Sequence, residues 1–320
     1  MTARPTIRGV LSPVVTPFDR ELRPDAARLA AHCRWLVEND VGLAIFGTNS
    51  EANSLSTSEK LRLMDAVVHA GLPPARMMPG TGCCALPDTV ELTRRAVAHG
   101  CAGVLMLPPF YYKGVSDDVL FASYAEVIER VGDARLRIYL YHIPPVSQVP
   151  ITLSLIERLL DRYPGTIAGI KDSSGDWTNT SAMLERFQPR GFDVFAGSET
   201  FLLATLRAGG AGCISATANV NAGPIARLAS TWHNADADAQ QTVLDRVRAT
   251  FQRFPMIPAL KAAVARFAHD DGWVTVRPPL IALSAEQRAG LADALASIGF
   301  DMPGRDRVAH AANAAAAPAD

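Results

Sequence analysis

An α/β protein of the (β/α)8 TIM-barrel class, with a C-terminal helical extension, is the fold this chain predicts. Three observations carry it. Eight short apolar segments alternate with eight amphipathic stretches of helical length. The apolar segments are near-continuous, as parallel strands covered on both faces are. The main rival, a doubly wound open sheet, would usually show a GxGxxG turn after its first strand, and none occurs there.

The expected strands are residues 9–17, 42–48, 77–81, 103–108, 136–142, 166–171, 192–197 and 212–216. The expected helices are residues 24–38, 58–70, 87–99, 117–131, 153–162, 177–187, 199–208 and 223–233. Thr57-Ser58-Glu59 and Ser116-Asp117-Asp118 supply polar helix starts. Gly71, Gly100 and Gly209 supply helix ends. Three more helical stretches follow, at 238–254, 256–268 and 284–298. The expected organisation is therefore a barrel over 1–233 and a helical extension over 234–300, packed on the barrel or on a neighbouring subunit. Residues 301–320 are read as a flexible tail, alanine-rich from Ala309 onward.

The chain has 320 residues, 48% hydrophobic and 20% charged, which is enough for a large core. Its 31 basic and 32 acidic residues are well mixed and sum to −1, which argues against nucleic acid or an anionic membrane as partner. No apolar run reaches the ~18 residues of a membrane span. Met1-Thr2-Ala3-Arg4-Pro5 carries no signal-peptide core. The five cysteines, Cys33, Cys83, Cys84, Cys101 and Cys213, form no CxxC pair, which points to a reducing, cytoplasmic setting. The seven histidines show no metal-ligand spacing, so neither a metal nor a cofactor is expected.

In a barrel the C-terminal strand ends build the active site. Those ends here carry Gly47-Thr48-Asn49-Ser50-Glu51, Pro108-Pro109-Phe110-Tyr111-Tyr112, Tyr139-Leu140-Tyr141-His142, Lys171-Asp172, Gly197-Ser198-Glu199 and Ile214-Ser215-Ala216-Thr217-Ala218-Asn219. Lys171 closes an apolar run, Thr166 to Ile170. Two readings are open on that strand alone. A lysine there can snorkel to solvent. Alternatively it is partly desolvated, and burial, by disfavouring the ammonium, frees an amine as a nucleophile. The strands ending in Tyr141 and Lys171 are sequential, so they should lie side by side, ~5 Å apart. A phenol beside an amine can move a proton to or from an adduct on that amine. Thr48 can orient such a phenol, and Asn49 with the turn's backbone N–H groups can hold a carboxylate. His142 should point to the opposite side of its strand.

On these motifs the chain resembles the dihydrodipicolinate synthase / N-acetylneuraminate lyase family of class I, Schiff-base, pyruvate-dependent aldolases and lyases. The resemblance spans roughly residues 6 to 300. It rests on Gly47-Thr48-Asn49-Ser50-Glu51, Pro109-Phe110-Tyr111-Tyr112, Tyr141-His142-Ile143-Pro144, Gly169-Ile170-Lys171-Asp172-Ser173-Ser174-Gly175, and Gly209-Gly210 with Ile214-Ser215. It implies that Lys171 forms an imine with pyruvate or another 2-keto acid and that Tyr141 carries the proton. It also implies that Thr48 links Tyr141 to Tyr111 of a neighbouring subunit, hence a homo-oligomer, a dimer or tetramer. Asn49 and Ser50 would hold the keto-acid carboxylate, and Gly197 and Ile214 would line the pocket.

Three departures bear on substrate. Ser50 replaces the family's usual glycine, Asn49 replaces its usual threonine or serine, and Val146 stands where dihydrodipicolinate synthases carry a carboxylate-gripping arginine. The resemblance then implies cleavage or dehydration of a 4-hydroxy-2-keto acid, such as a 2-keto-3-deoxy sugar acid or 4-hydroxy-2-oxoglutarate. Dihydrodipicolinate synthesis from pyruvate and aspartate semialdehyde is the alternative that Val146 disfavours. A non-catalytic keto-acid-binding homologue is the second alternative.

Overall fold

A computed structural model describes residues 7–305. Its strands and helices run, in chain order, β1 (Gly9–Ser12), α1 (Ala26–Glu38), β2 (Gly42–Leu43), α2 (Thr57–His69), α3 (Leu86–His99), β3 (Val104–Met106), α4 (Asp117–Val131), β4 (Ile138–His142), α5 (Pro144–Ser147), α6 (Leu153–Arg162), β5 (Ile167–Asp172), α7 (Trp177–Phe187), β6 (Asp193–Ala196), α8 (Leu202–Arg207), β7 (Gly212–Ile214), α9 (Ala222–Thr231), α10 (Ala237–Gln252), α11 (Met256–Ala268) and α12 (Ala285–Ser297). They fall into two compact units, one of residues 7–9 and 73–214, the other of residues 10–72 and 215–305.

In the first unit β3 to β7 pair in parallel in sequence order. The segment 77–81, expected as a strand, joins the edge of β3 only through a bridge between Gly80 and Leu105. Leu105 N–H donates to Pro79 C=O at 2.9 Å, and Thr81 N–H donates to Leu105 C=O at 3.0 Å. Pro79 has no N–H to give, so the ladder stays short. Gly82 continues so close to Leu107 that a Cβ on it would stand 2.3 Å from the Leu107 nitrogen. Further along the sheet, the Tyr139 ring slots between Gly103 and Gly169, where added Cβ atoms would meet it at 2.6 and 2.7 Å. The strand side chains Val104, Met106, Ile138, Leu140, Ile170, Val194 and Phe195 are buried.

The helices of this unit follow local rules. Ser116 accepts from Val119 N–H to start α4, and Gly132, at φ 63°, ends it. Gly100, at φ 79°, ends α3 in the same left-handed way. Helix α3 packs on α4, and α4 on α6.

In the second unit β1 and β2 pair in parallel, with Leu11 level with Gly42 and Ser12 with Leu43. Both are shorter than expected. Pro13 ends β1, having no N–H. Beyond it, the Asn219 side chain takes over the pairing, accepting from Val15 N–H at 2.9 Å and donating to Pro13 C=O at 3.1 Å. Strand β2 covers only Gly42 and Leu43, and three residues on Phe46 is left-handed at φ 63°, where a Cβ is disfavoured. The three C-terminal helices α10, α11 and α12 form as expected and pack on one another. Of the segment 301–320, residues 306–320 lie outside the described residues, while Met302 and Arg305 are buried.

The true cap of α2 is Ser56, one residue before the expected start signal at Thr57. It accepts from Glu59 N–H at 3.2 Å, and Glu59 accepts from Ser56 N–H at 2.8 Å, a capping box. Arg277 clamps the same carboxylate at 2.6 and 2.9 Å. These bonds, the Arg277 one foremost, hold the Glu59 carboxyl at about 2, below its ordinary 4.5. A carboxylate depressed on folding stabilises fully above its unfolded value and loses that contribution as pH falls through the folded one. Arg277→Gln should therefore flatten the pH dependence of the urea midpoint between pH 4.5 and about 2. An unchanged slope would show that the clamp does not govern Glu59.

Candidate active site

Lys171 and Tyr141 sit level on the paired strands β5 and β4. Lys171 Nζ donates to the Tyr141 hydroxyl at 3.1 Å and stands 4.3 Å from the centre of its ring. Both side chains are only 2% exposed, so the amine does not snorkel to solvent. The structure thus brings together the two groups that sequence spacing predicted as neighbours.

The next pair along, His142 level with Asp172, has a structural task. His142 Nδ1 accepts from Ile151 N–H at 3.0 Å. Burial pushes its imidazole below the ordinary value, against the pull of Asp172. Asp172 accepts from Ser174 N–H at 2.9 Å, Asn179 Nδ2 at 3.0 Å and Thr180 Oγ1 at 2.6 Å, which ties the end of β5 to the start of α7.

Gly197 and Ile214 lie one step past the level pair Ala196 and Cys213 at the ends of β6 and β7. Gly197 N–H donates to Asp172 C=O at 2.7 Å. A Cβ on Gly197 would stand 2.1 Å from Ser173 Oγ. Packing alone therefore accounts for glycine there. Ile214 is buried.

Tyr111 is placed differently. It is 75% exposed, edge-to-face with Tyr112, itself 62% exposed. Their loop is tethered by Lys113, whose Nζ donates to the carbonyls of Ser147 and Phe110. Val146, on α5 just after the Tyr141 strand, is 59% exposed and presents only an aliphatic surface.

In the second unit Thr48, Asn49 and Ser50 form a single 3-10 turn. Thr48 and Asn49 are half-buried and Ser50 is buried. Ser50 serves the turn itself. Its Oγ accepts from Gly47 N–H at 3.1 Å, its N–H donates to Gly47 C=O at 3.0 Å, and its C=O accepts from Thr16 Oγ1 at 2.7 Å.

Glu51 ends the turn at φ 56°. Its buried carboxylate accepts from Lys261 Nζ at 2.6 Å and from Arg277 N–H at 3.0 Å. Lys261 is wholly buried on α11 and stands 4.6 Å over the Phe18 ring. Burial pushes its ammonium down to about 8, although Glu51 pulls it up. Sequence reading passed over this pair. The available signal was the lone charge in the apolar run Ala259-Leu260-Lys261-Ala262-Ala263-Val264.

Likeness to known proteins makes this chain an α/β enzyme of the class I aldolase and lyase kind. The chain belongs to the dihydrodipicolinate synthetase family, whose profile it matches over residues 6–298. An uncharacterized DapA-like lyase of Chloroflexus aurantiacus is 33% identical over 89% of this chain and 94% of its own. The crystal structure of dihydrodipicolinate synthase from Agrobacterium tumefaciens is 30% identical, with a TM-score of 0.83 over 91% of this chain and 99% of its own. The Escherichia coli K12 prophage protein YagE, of the dihydrodipicolinic acid synthase family and solved in complex with pyruvate, is 25% identical with a TM-score of 0.83, over 92% and 99%. The fold class is thus the (β/α)8 barrel that the βα beat predicts, with helices at its C-terminal end. Among the described residues no helix is long and apolar enough to cross a membrane.

The buried ion pair has a measurable cost of removal. Lys261→Ala strands the buried Glu51 carboxylate and should destabilise the protein by about 3–5 kcal/mol. Urea denaturation checks this, and a loss below about 1 kcal/mol, the exposed-pair level, would contradict the burial.

Proposed function

We propose that Lys171 forms an imine with pyruvate or another 2-keto acid, and that the enzyme cleaves or dehydrates a 4-hydroxy-2-keto acid. A 2-keto-3-deoxy sugar acid and 4-hydroxy-2-oxoglutarate are examples. The observation that carries this reading is the buried Lys171 amine 3.1 Å from the Tyr141 hydroxyl. Attack of the amine on the keto carbon gives a carbinolamine, and loss of water gives the imine. In cleavage the 4-hydroxyl gives up its proton as the C3–C4 bond breaks, and the protonated imine takes that bond's electron pair. In dehydration the imine takes the pair of a C3–H bond, and the resulting enamine expels the protonated 4-hydroxyl as water. Tyr141 is within reach to give and take the protons of these steps. Thr48 and Tyr111 would complete the relay, and Asn49 and Ser50 with their amides would hold the carboxylate, with Gly197 and Ile214 lining the pocket. These six roles rest on the family resemblance. The pyruvate complex of YagE supports the choice of keto acid.

The exposed Tyr111–Tyr112 pair supports a homo-oligomer, because two aromatic rings left in water on one chain favour a covering partner. Five free thiols support a cytoplasmic setting. Val146 separates this reading from dihydrodipicolinate synthesis, since an aliphatic group cannot grip a second carboxylate. The 30% identity to the Agrobacterium tumefaciens enzyme favours the synthase as second reading. Condensation of pyruvate with aspartate semialdehyde by the purified enzyme would establish it.

Borohydride reduction in the presence of pyruvate should leave a covalent adduct on Lys171, located by intact mass and peptide mapping. Lys171→Ala should fold, form no adduct and lack turnover. Full activity in that variant would overturn the mechanism. Tyr141→Phe should keep the fold and lower kcat by roughly 10²–10⁴-fold, the loss expected for a positioned acid–base group. An unchanged kcat would remove the phenol from the chemistry.

A further inference from the structure

We infer that the Glu51–Lys261 ion pair is a positioning device for the turn Thr48–Ser50, and that Lys261 acts on keto-acid affinity through Glu51 without touching the substrate. The inference rests on the reading above, in which this turn holds the keto-acid carboxylate.

The turn has only three residues and is pinned at both ends. Its start is closed by Ser50, which binds back to Gly47 and receives Thr16. Its end depends on Glu51. That residue adopts φ 56° without being glycine, a conformation that persists only where the surroundings over-determine it. Four bonds do so here. Glu51 N–H donates to Thr48 C=O at 3.2 Å, and Glu51 C=O accepts from Ser54 N–H at 2.8 Å. The carboxylate takes Lys261 Nζ on one oxygen and Arg277 N–H on the other. Backbone amides aimed at an anion work only while their directions are fixed, so any relaxation of Glu51 reorients the N–H groups of the turn.

The placement of Lys261 argues for geometry over stability. It is buried in an otherwise apolar stretch of α11, over the Phe18 ring. A buried ion pair contributes little net stability compared with apolar residues of the same size, because desolvation consumes the Coulomb gain. What it does supply is direction. The Lys261 amine holds one oxygen of the Glu51 carboxylate at 2.6 Å, and Arg277 N–H fixes the second at 3.0 Å.

The test compares pyruvate-dependent borohydride trapping on Lys171 in the wild type, in Lys261→Met and in Glu51→Gln/Lys261→Met. The double variant removes both buried charges and guards against misfolding of the single one. Thermal unfolding and circular dichroism establish that each is folded. The expected result is a half-saturating pyruvate concentration raised by about ten- to a hundred-fold in the double variant, the scale that a small misplacement produces. Trapping at saturation should proceed at close to the wild-type rate. A folded double variant with wild-type half-saturation would make the pair purely structural and overturn the proposal. So would a lost saturating rate at unchanged half-saturation, which would move the effect onto the chemistry. A wild-type enzyme that neither traps nor binds pyruvate by calorimetry would overturn the reading of the site, and this proposal with it.

Discussion

Parallel pairing of β4 with β5 decides which side chain stands beside Lys171, and the candidate chemistry depends on that choice. The pairing begins with Ile138 level with Ile167, then slips by one residue, so that Tyr139 meets Gly169. From there Tyr141 falls level with Lys171 and His142 with Asp172. Had the initial register continued, Lys171 would stand level with His142. Such irregularities re-aim side chains, and they recur beside active sites. Here one extra residue, Ala168, selects a phenol over an imidazole as the partner of the amine. The imidazole is then left to accept from Ile151 N–H, a bond that needs the neutral Nδ1 its burial favours.

The groups assigned to the reaction are held by different physical means. Lys171 and Tyr141 are fixed by a hydrogen-bonded ladder and by burial of their stems. The turn at Thr48–Ser50 has no ladder. It relies on a serine hydroxyl at one end and a buried ion pair at the other. A ladder distributes its restraint over many weak bonds, whereas a turn concentrates it in a few. Substitutions near the turn are therefore felt more locally than substitutions along the strands.

Local chemistry made the helices legible. Caps such as Ser116, and glycine ends such as Gly100 and Gly132, act within one turn, so the boundaries came out within a few residues. Strand lengths were overestimated because apolar runs do not reveal where a ladder stops. Pro13 and Pro79 lack the N–H, and Phe46 turns left-handed, a conformation its sequence gives no reason to expect. Lys171 beside Tyr141 was readable because sequential strands of a βα unit are neighbours. The Ala168 slip was not, since register depends on tertiary packing. Nor was the partnership of Glu51 with Lys261, 210 positions apart, where no local pattern links one to the other.

Asp172 adds a mechanical consequence. Three donors from the loop and α7 seize its carboxylate immediately after Lys171. The Cα of Lys171 is thereby moored to a helix, and its backbone has little room to travel. In the proposed reaction, passing from planar ketone to tetrahedral carbinolamine and on to planar imine requires the reacting carbon to change shape twice. With the main chain moored, that movement must be taken up by the four methylenes of the lysine and by the substrate. The side chain then works as a short flexible arm on a rigid mount. Selectivity among keto acids would reflect how far each one's carbonyl carbon can come to meet that arm.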